Sequence, residues 1–176
     1  MRWDDLFDDL EGQAEAGDRA AWEAVLADLV SAERAAVRML DRIRASRDPL
    51  TLRLVDGQVL AGPVVEVGED WLILGVEEVL VPITAVVTVE RLSRAAVVGG
   101  HPVERALTVA SVFRRMARDR CAVDVRLVGG TGLHGTVDGV GADHLDLACH
   151  PAGEPRTAAA VLRTVPVSAV TSVRRR

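Results

Sequence analysis

Residues 64–74 read "VVEVGEDWLIL" and residues 137–147 read "VDGVGADHLDL"; the same Val, Gly, Asp and Leu positions return with the residues between them exchanged. Setting Arg53 against Arg126, 12 of the 22 positions up to Leu74 and Leu147 are identical. They include Arg53-Leu54-Val55 with Arg126-Leu127-Val128, and Gly57, Gly62 and Gly68 with Gly130, Gly135 and Gly141. The match resumes at "VPITAVVTV" (81–89) and "VPVSAVTSV" (165–173), with eleven extra residues between the blocks in the second copy. Two blocks repeated in the same order point to an internal duplication, and a repeat of this kind decides the fold before any single element does.

Each copy reads as short strands. "LTLRLV" alternates and meets Asp56-Gly57, a two-residue hairpin signal; "AVDVRLV" meets Gly129-Gly130 at the same place. The next strand, Gln58 to Val67, carries Gly62 inside it, and an interior glycine marks a sharp bend or close backbone approach. A Gly-Glu-Asp turn, "WLIL", a loop and "VLV" follow. Pro82 interrupts that last run, so "ITAV" predicts one short helical turn before "VVTVERL". Five strands in about 43 residues with a bent second strand predict a small closed barrel.

Helices fill the remainder. Trp3, Leu6, Phe7 and Leu10 share one face of a short acidic helix, which Gly17-Asp18 ends. Trp22, Val25, Leu26, Leu29, Val37, Leu40 and Ile43 repeat at helical spacing to about Arg47, where Pro49 closes the run. Another helix, from about Pro102 to Asp119, sets Val103, Leu107, Ala110, Phe113 and Met116 on one side. The expected fold class is α+β, mainly β. Its expected organisation is an acidic helical arm (1–48), a first barrel (49–93), a linker with a basic helix (94–119) and a second barrel (120–176).

On the words "LRLVDGQVLAGPVVEVGEDWLIL" and "VPITAVVTV", with their second-copy partners, the chain resembles the Sm-like, or SH3-like, small-barrel superfamily. As a whole it is similar to uncharacterised two-barrel proteins of GC-rich bacteria. The resemblance implies a helix ahead of five bent strands, and association through exposed edge strands, between the two copies or between chains. It does not carry RNA binding with it. Gly68 and Gly141 stand where the RNA-binding members place an aspartate, no Asn occurs in the chain, and "PITA" and "PVSA" replace the Arg-Gly or Lys-His signature of the fifth-strand turn.

Composition narrows the function classes. The chain has 176 residues, 49% of them hydrophobic, which supplies ample core. No apolar run reaches the roughly 20 residues of a membrane span. The start "MRWDDLFDDL" lacks a secretion signal, so a cytoplasmic protein without a membrane partner is expected. Cys121 and Cys149 lie far apart and give neither a disulfide framework nor a zinc ribbon. The net charge of −5 hides a split: residues 1–33 hold ten acids and two Arg, and residues 91–126 hold eight Arg and three acids. That split can guide an acidic arm onto a basic patch of the same molecule or a neighbour.

No motif marks an enzyme. His134, His144, Cys149 and His150 cluster in the second copy without ligand spacing, and Ala61 and Trp71 stand at two of the matching first-copy positions. No GxSxG elbow or phosphate loop is present. Asp70 and Asp143 follow a turn glycine, where a carboxylate commonly bonds neighbouring backbone amides. No catalytic residue, metal or cofactor is therefore expected. The expected function is a binding or assembly module using edge strands and a helix face, with Trp3, Leu6, Phe7 and Leu10 as candidate protein anchor and a homodimer as first expectation. The competing reading is a nucleic-acid-associated regulator, RNA or DNA, holding phosphates with Arg105, Arg114, Arg115, Arg118 and Arg120 of the Arg-rich helix 105–120, helped by Arg174, Arg175 and Arg176. The shortage of aromatic residues for base stacking stands against it.

Overall fold

The computed structural model describes residues 22–23, 25–97, 107–154 and 160–176. The chain divides into two compact units, Met1–Arg38 and Met39–Arg176. In the first, residues 22–23 and 25–36 are helical (α1), with Trp22, Val25, Leu26 and Leu29 exposed. In the second, α2 (Met39–Ala45) buries Leu40 and Ile43. The single helix expected from 22 to 47 is thus broken at 37–38. Apolar spacing runs on across the break, so periodicity alone gives no sign of it.

The second unit is mainly β. Its first half holds β1 (Leu50–Leu54), β2 (Val59–Gly62), β3 (Val64–Val67), β4 (Trp71–Leu74), β5 (Val79–Pro82), a 3-10 turn (Ile83–Ala85) and β6 (Val86–Glu90). Then come α3 (Val109–Asp119), β7 (Ala122–Leu127), β8 (Gly132–Val140), β9 (His144–Cys149), β10 (Val161–Pro166), a 3-10 turn (Val167–Ala169) and β11 (Val170–Arg175). All pairings are antiparallel. One sheet has the order β2-β1-β6 and the other β10-β9-β8-β7-β11-β5-β4-β3.

The bend expected at Gly62 is present. β2 pairs with β1, the chain turns at Pro63, and β3 pairs with β4 in the other sheet. Glycine is required there because a Cβ on Gly62 would lie 2.5 Å from the Gly75 Cα. A Cβ on Gly135 would likewise lie 2.3 Å from the Ala148 carbonyl oxygen, where β8 passes from β7 to β9. Backbone hydrogen bonds recur between the halves in the same way. Leu54 to Gln58 corresponds to Leu127 to Thr131, Val55 to Ala85 to Val128 to Ala169, and Ile83 to Asp70 to Val167 to Asp143.

The expected closed barrels are not closed by a ladder. β5 does not pair with β6, nor β10 with β11; instead β11 of the second half pairs with β5 of the first, Val173 opposite Leu80. Pro82 and Pro166 contribute to this, since each ends its strand without an amide donor. β5 is consequently buried along its whole length, and Trp71 and Leu80 join the core made by Phe113, Met116, Val123, Leu145 and Leu147. Leu72, Leu74 and Val81 face the other core, with Ile43, Leu50, Leu52 and Leu54. Burying a side chain of this size contributes about 1.5–3 kcal/mol, so the two halves share a hydrophobic joint as well as a strand pair.

Candidate interaction surfaces

The two glycine corners, at Gly68 and at Gly141, hold different surroundings. In the first, a Cβ on Gly68 would lie 2.2 Å from the Trp71 Nε1, so glycine makes room for the indole. Trp71 is buried, and its Nε1–H donates to the Leu107 carbonyl at 2.8 Å. Arg44 Nη2 donates to the Gly68 carbonyl at 2.6 Å and Nη1 to Asp41 Oδ1 at 2.9 Å. Asp70 Oδ1 accepts the Val109 amide at 2.7 Å. The carboxylate therefore bonds an amide 39 residues away, at the start of α3, instead of the neighbouring amide expected. It also fixes where α3 begins: Leu107 and Thr108 are not helical, so the helix starts at Val109, later than the expected Pro102. Residues 101–106 lie outside the described residues.

In the second corner a Cβ on Gly141 would lie 2.3 Å from His144, which keeps the same steric relation. His144 Nδ1 faces Asp143 Oδ1 at 2.8 Å on the surface. That hydrogen bond lifts the His144 pKa above its ordinary value and lowers that of Asp143. Asp146, where the first half has Ile73, accepts the Thr164 hydroxyl at 2.6 Å.

The four-residue cluster expected in the second half is not one site. His144 stands at its corner, while His134 and His150 meet edge to face with centroids 5.2 Å apart. His134 Nδ1 donates to Asp124 Oδ1 at 2.6 Å, and Arg176 Nε donates to Asp124 Oδ2. Burial pushes the Asp124 carboxyl up, but the hydrogen bonds from His134 and Arg176 outweigh it and hold its pKa below the ordinary value. Burial also raises the Cys149 thiol, which disfavours a thiolate at neutral pH. Among the described residues no three His, Cys, Asp or Glu side chains are grouped to hold a metal.

A polar lock secures the joint between the halves, and sequence reasoning missed it. Asp56, its side chain fully buried, accepts the Thr171 hydroxyl at 3.0 Å and Arg126 Nε at 3.4 Å. Ser172 donates to Gln58 Oε1 at 3.1 Å. The available signal was the one unmatched residue of the hairpin turn, Asp56 against Gly129. Beside this joint lies a cleft of ≈ 410 Å³ lined in part by Arg126, Arg174 and Arg176. Arg126 pairs with Asp56, Arg174 with Glu77 and Arg176 with Asp124, each arginine keeping part of its side chain exposed.

Four strands end the two sheets among the described residues: β2 and β6 in one, β3 and β10 in the other. β6 pairs only with β1, and β10 only with β9, among the described residues. β10 exposes Val161, Leu162, Arg163 and Thr164, and β6 exposes Val87, Thr88 and Glu90. Unpaired edges bearing exposed apolar residues are templates for another strand. Elsewhere, α3 buries Val109, Phe113 and Met116 and turns Arg114, Arg115 and Arg118 to solvent, with Arg120 exposed at its end. Arg115 approaches Asp119 at 4.0 Å. Arg105, Trp3, Leu6, Phe7 and Leu10 lie outside the described residues. Among the described residues no helix is long and apolar enough to cross a membrane. No protein-family model matches the chain, and neither a curated protein nor a solved structure matches it.

Proposed function

We propose that the chain is a non-enzymatic assembly module made of two duplicated Sm-like small barrels, and that it works by offering sheet edges to protein partners. The observation that carries this reading is the β5–β11 pairing, in which an edge of one half is completed by a strand of the other. The recurrent hydrogen bonds and the matched glycine approaches support the duplication. A module already held together by edge pairing, with β6 and β10 still unpaired among the described residues, is suited to add further strands by β-augmentation.

Affinity capture of the full chain from its native cell, read for both protein and nucleic acid, tests the proposal. Val87→Pro and Leu162→Pro each place a residue without an amide donor in an exposed edge. The expected result is co-purified protein that these variants lose, with circular dichroism unchanged. Partners retained by both variants would overturn the edge reading. The exposed arginines of α3 favour a second reading, nucleic-acid association. It requires bound RNA or DNA that falls off steeply with salt and disappears in Arg114→Ala plus Arg115→Ala.

A further inference from the structure

The cleft beside the joint is built on one face of the second half's sheet. Strand register puts Ser172 and Gly132 on either side of Arg126, and Arg174 and His134 on either side of Asp124. Diagonal neighbours on such a face lie about 7–8 Å apart, so Arg126 and Arg174 reach one shared space. Gly132 opens that space: it lines the cleft, and a Cβ there would meet no atom within 4 Å. The same two rows in the first half read Thr88, Arg53, Val59 and Glu90, Thr51, Ala61. A valine and a glutamate thus stand where the second half has Gly132 and Arg174, and only the second half carries the open, arginine-rich face.

Hydrogen-bond capacity in the cleft is one-sided. Asp124 accepts His134 at Oδ1 and Arg176 at Oδ2. Asp56 accepts the Gln58 amide at Oδ1, and Thr171 and Arg126 at Oδ2. Both carboxylates are therefore engaged. The donors are not: Arg126 and Arg176 use only Nε, and the terminal nitrogens of each guanidinium have no partner among the described residues. Gln58 accepts Ser172 at Oε1, which leaves its side-chain NH2 in the same condition. A guanidinium anchored at Nε presents its terminal pair as a fork that matches two oxygens of an anionic group. Two forks and an amide offer more donors than one carboxylate accepts, whereas a terminal phosphoryl group has three acceptor oxygens.

We infer that this cleft binds a small molecule through a terminal phosphoryl group, with Arg126 and Arg176 as the clamp and Gly132 as the space that admits it. Its volume of ≈ 410 Å³ lies within the roughly 300–1,000 Å³ of small-molecule sites. A nucleic-acid strand fits less well, since among the described residues no Phe, Trp or Tyr lines the cleft for base stacking. Gln58 and Val79 come from the first half, so the bound molecule braces the joint. The site is separate from the sheet edges and does not depend on their binding a partner.

Isothermal titration calorimetry of the purified full chain with inorganic pyrophosphate, up to about 1 mM, tests the inference. One-to-one binding is expected, with a Tm that rises with pyrophosphate. Arg126→Lys keeps a cation beside Asp56 but loses the fork, and should weaken binding about tenfold or more. Gly132→Leu fills the cleft without changing any charge and should abolish binding while circular dichroism stays unchanged; if that variant does not fold, Arg126→Lys decides alone. Arg114→Ala plus Arg115→Ala, on α3, should bind like wild type. No binding by the wild type overturns the inference, as does full affinity in Arg126→Lys, or loss of binding with the α3 arginines. An RNA or DNA oligonucleotide that displaces pyrophosphate at a lower concentration would assign the phosphoryl site to nucleic acid and overturn the small-molecule ligand.

Discussion

Replacing Asp70 by Ala removes the acceptor of the Val109 amide, the first amide of α3, and Thr108 does not replace it because its side chain makes no capping bond. Loss of a side-chain cap costs about 1 kcal/mol, with a range of roughly 0.5–2. Removing a negative charge at a helix N-terminus adds roughly 0.3–1 kcal/mol. The expected loss is therefore about 1.5–2 kcal/mol, or about 6 °C in Tm for a unit of this size. Asp143→Ala is the matched control, because it changes the equivalent aspartate of the other half at the same Gly-x-Asp corner. Its carboxylate is exposed and pairs with the surface His144, so the expected change stays within about 0.5 kcal/mol. Urea unfolding followed by far-UV circular dichroism gives both values, and Asp70→Asn, which keeps an oxygen acceptor, should recover part of the loss. Equal losses for Asp70→Ala and Asp143→Ala would show that the long-range cap contributes nothing.

Gly62→Ala brings a Cβ to within 2.5 Å of the Gly75 backbone and should cost about 3 kcal/mol. Gly57→Ala meets open space and pays only for its φ of +84°, about 1 kcal/mol; thermal melts that rank them the other way refute the close-approach account. Asp56→Ala orphans the buried Thr171 hydroxyl and should cost about 2–3 kcal/mol, with a coupling of roughly 1 kcal/mol or more to Thr171→Val in a double-mutant cycle. In an NMR titration His144 should lose its proton above the ordinary histidine range, and Asp143→Asn should bring that pKa down. The pairing holds below the raised pKa and is lost as pH rises through it. An unmoved titration in the Asn variant would contradict the observed hydrogen bond.

Strand order within each half was legible because period-two alternation, turn glycines and a repeated block constrain one another. The bend at Gly62 was legible too, since a glycine inside a strand gives up side-chain packing and is kept where the backbone bends or another chain segment passes close. Which strand meets which across the halves was not legible. β5 reads "VLVP" whether both its faces are covered by its own half or by β11 and the second core. Trp71 shows how far a substitution can mislead. It stands where the second half has His144, and it is a buried prop for the chain leading into α3. A single sequence carries the local periodicity that makes β4 a strand but not the long-range carbonyl, Leu107, that claims its indole.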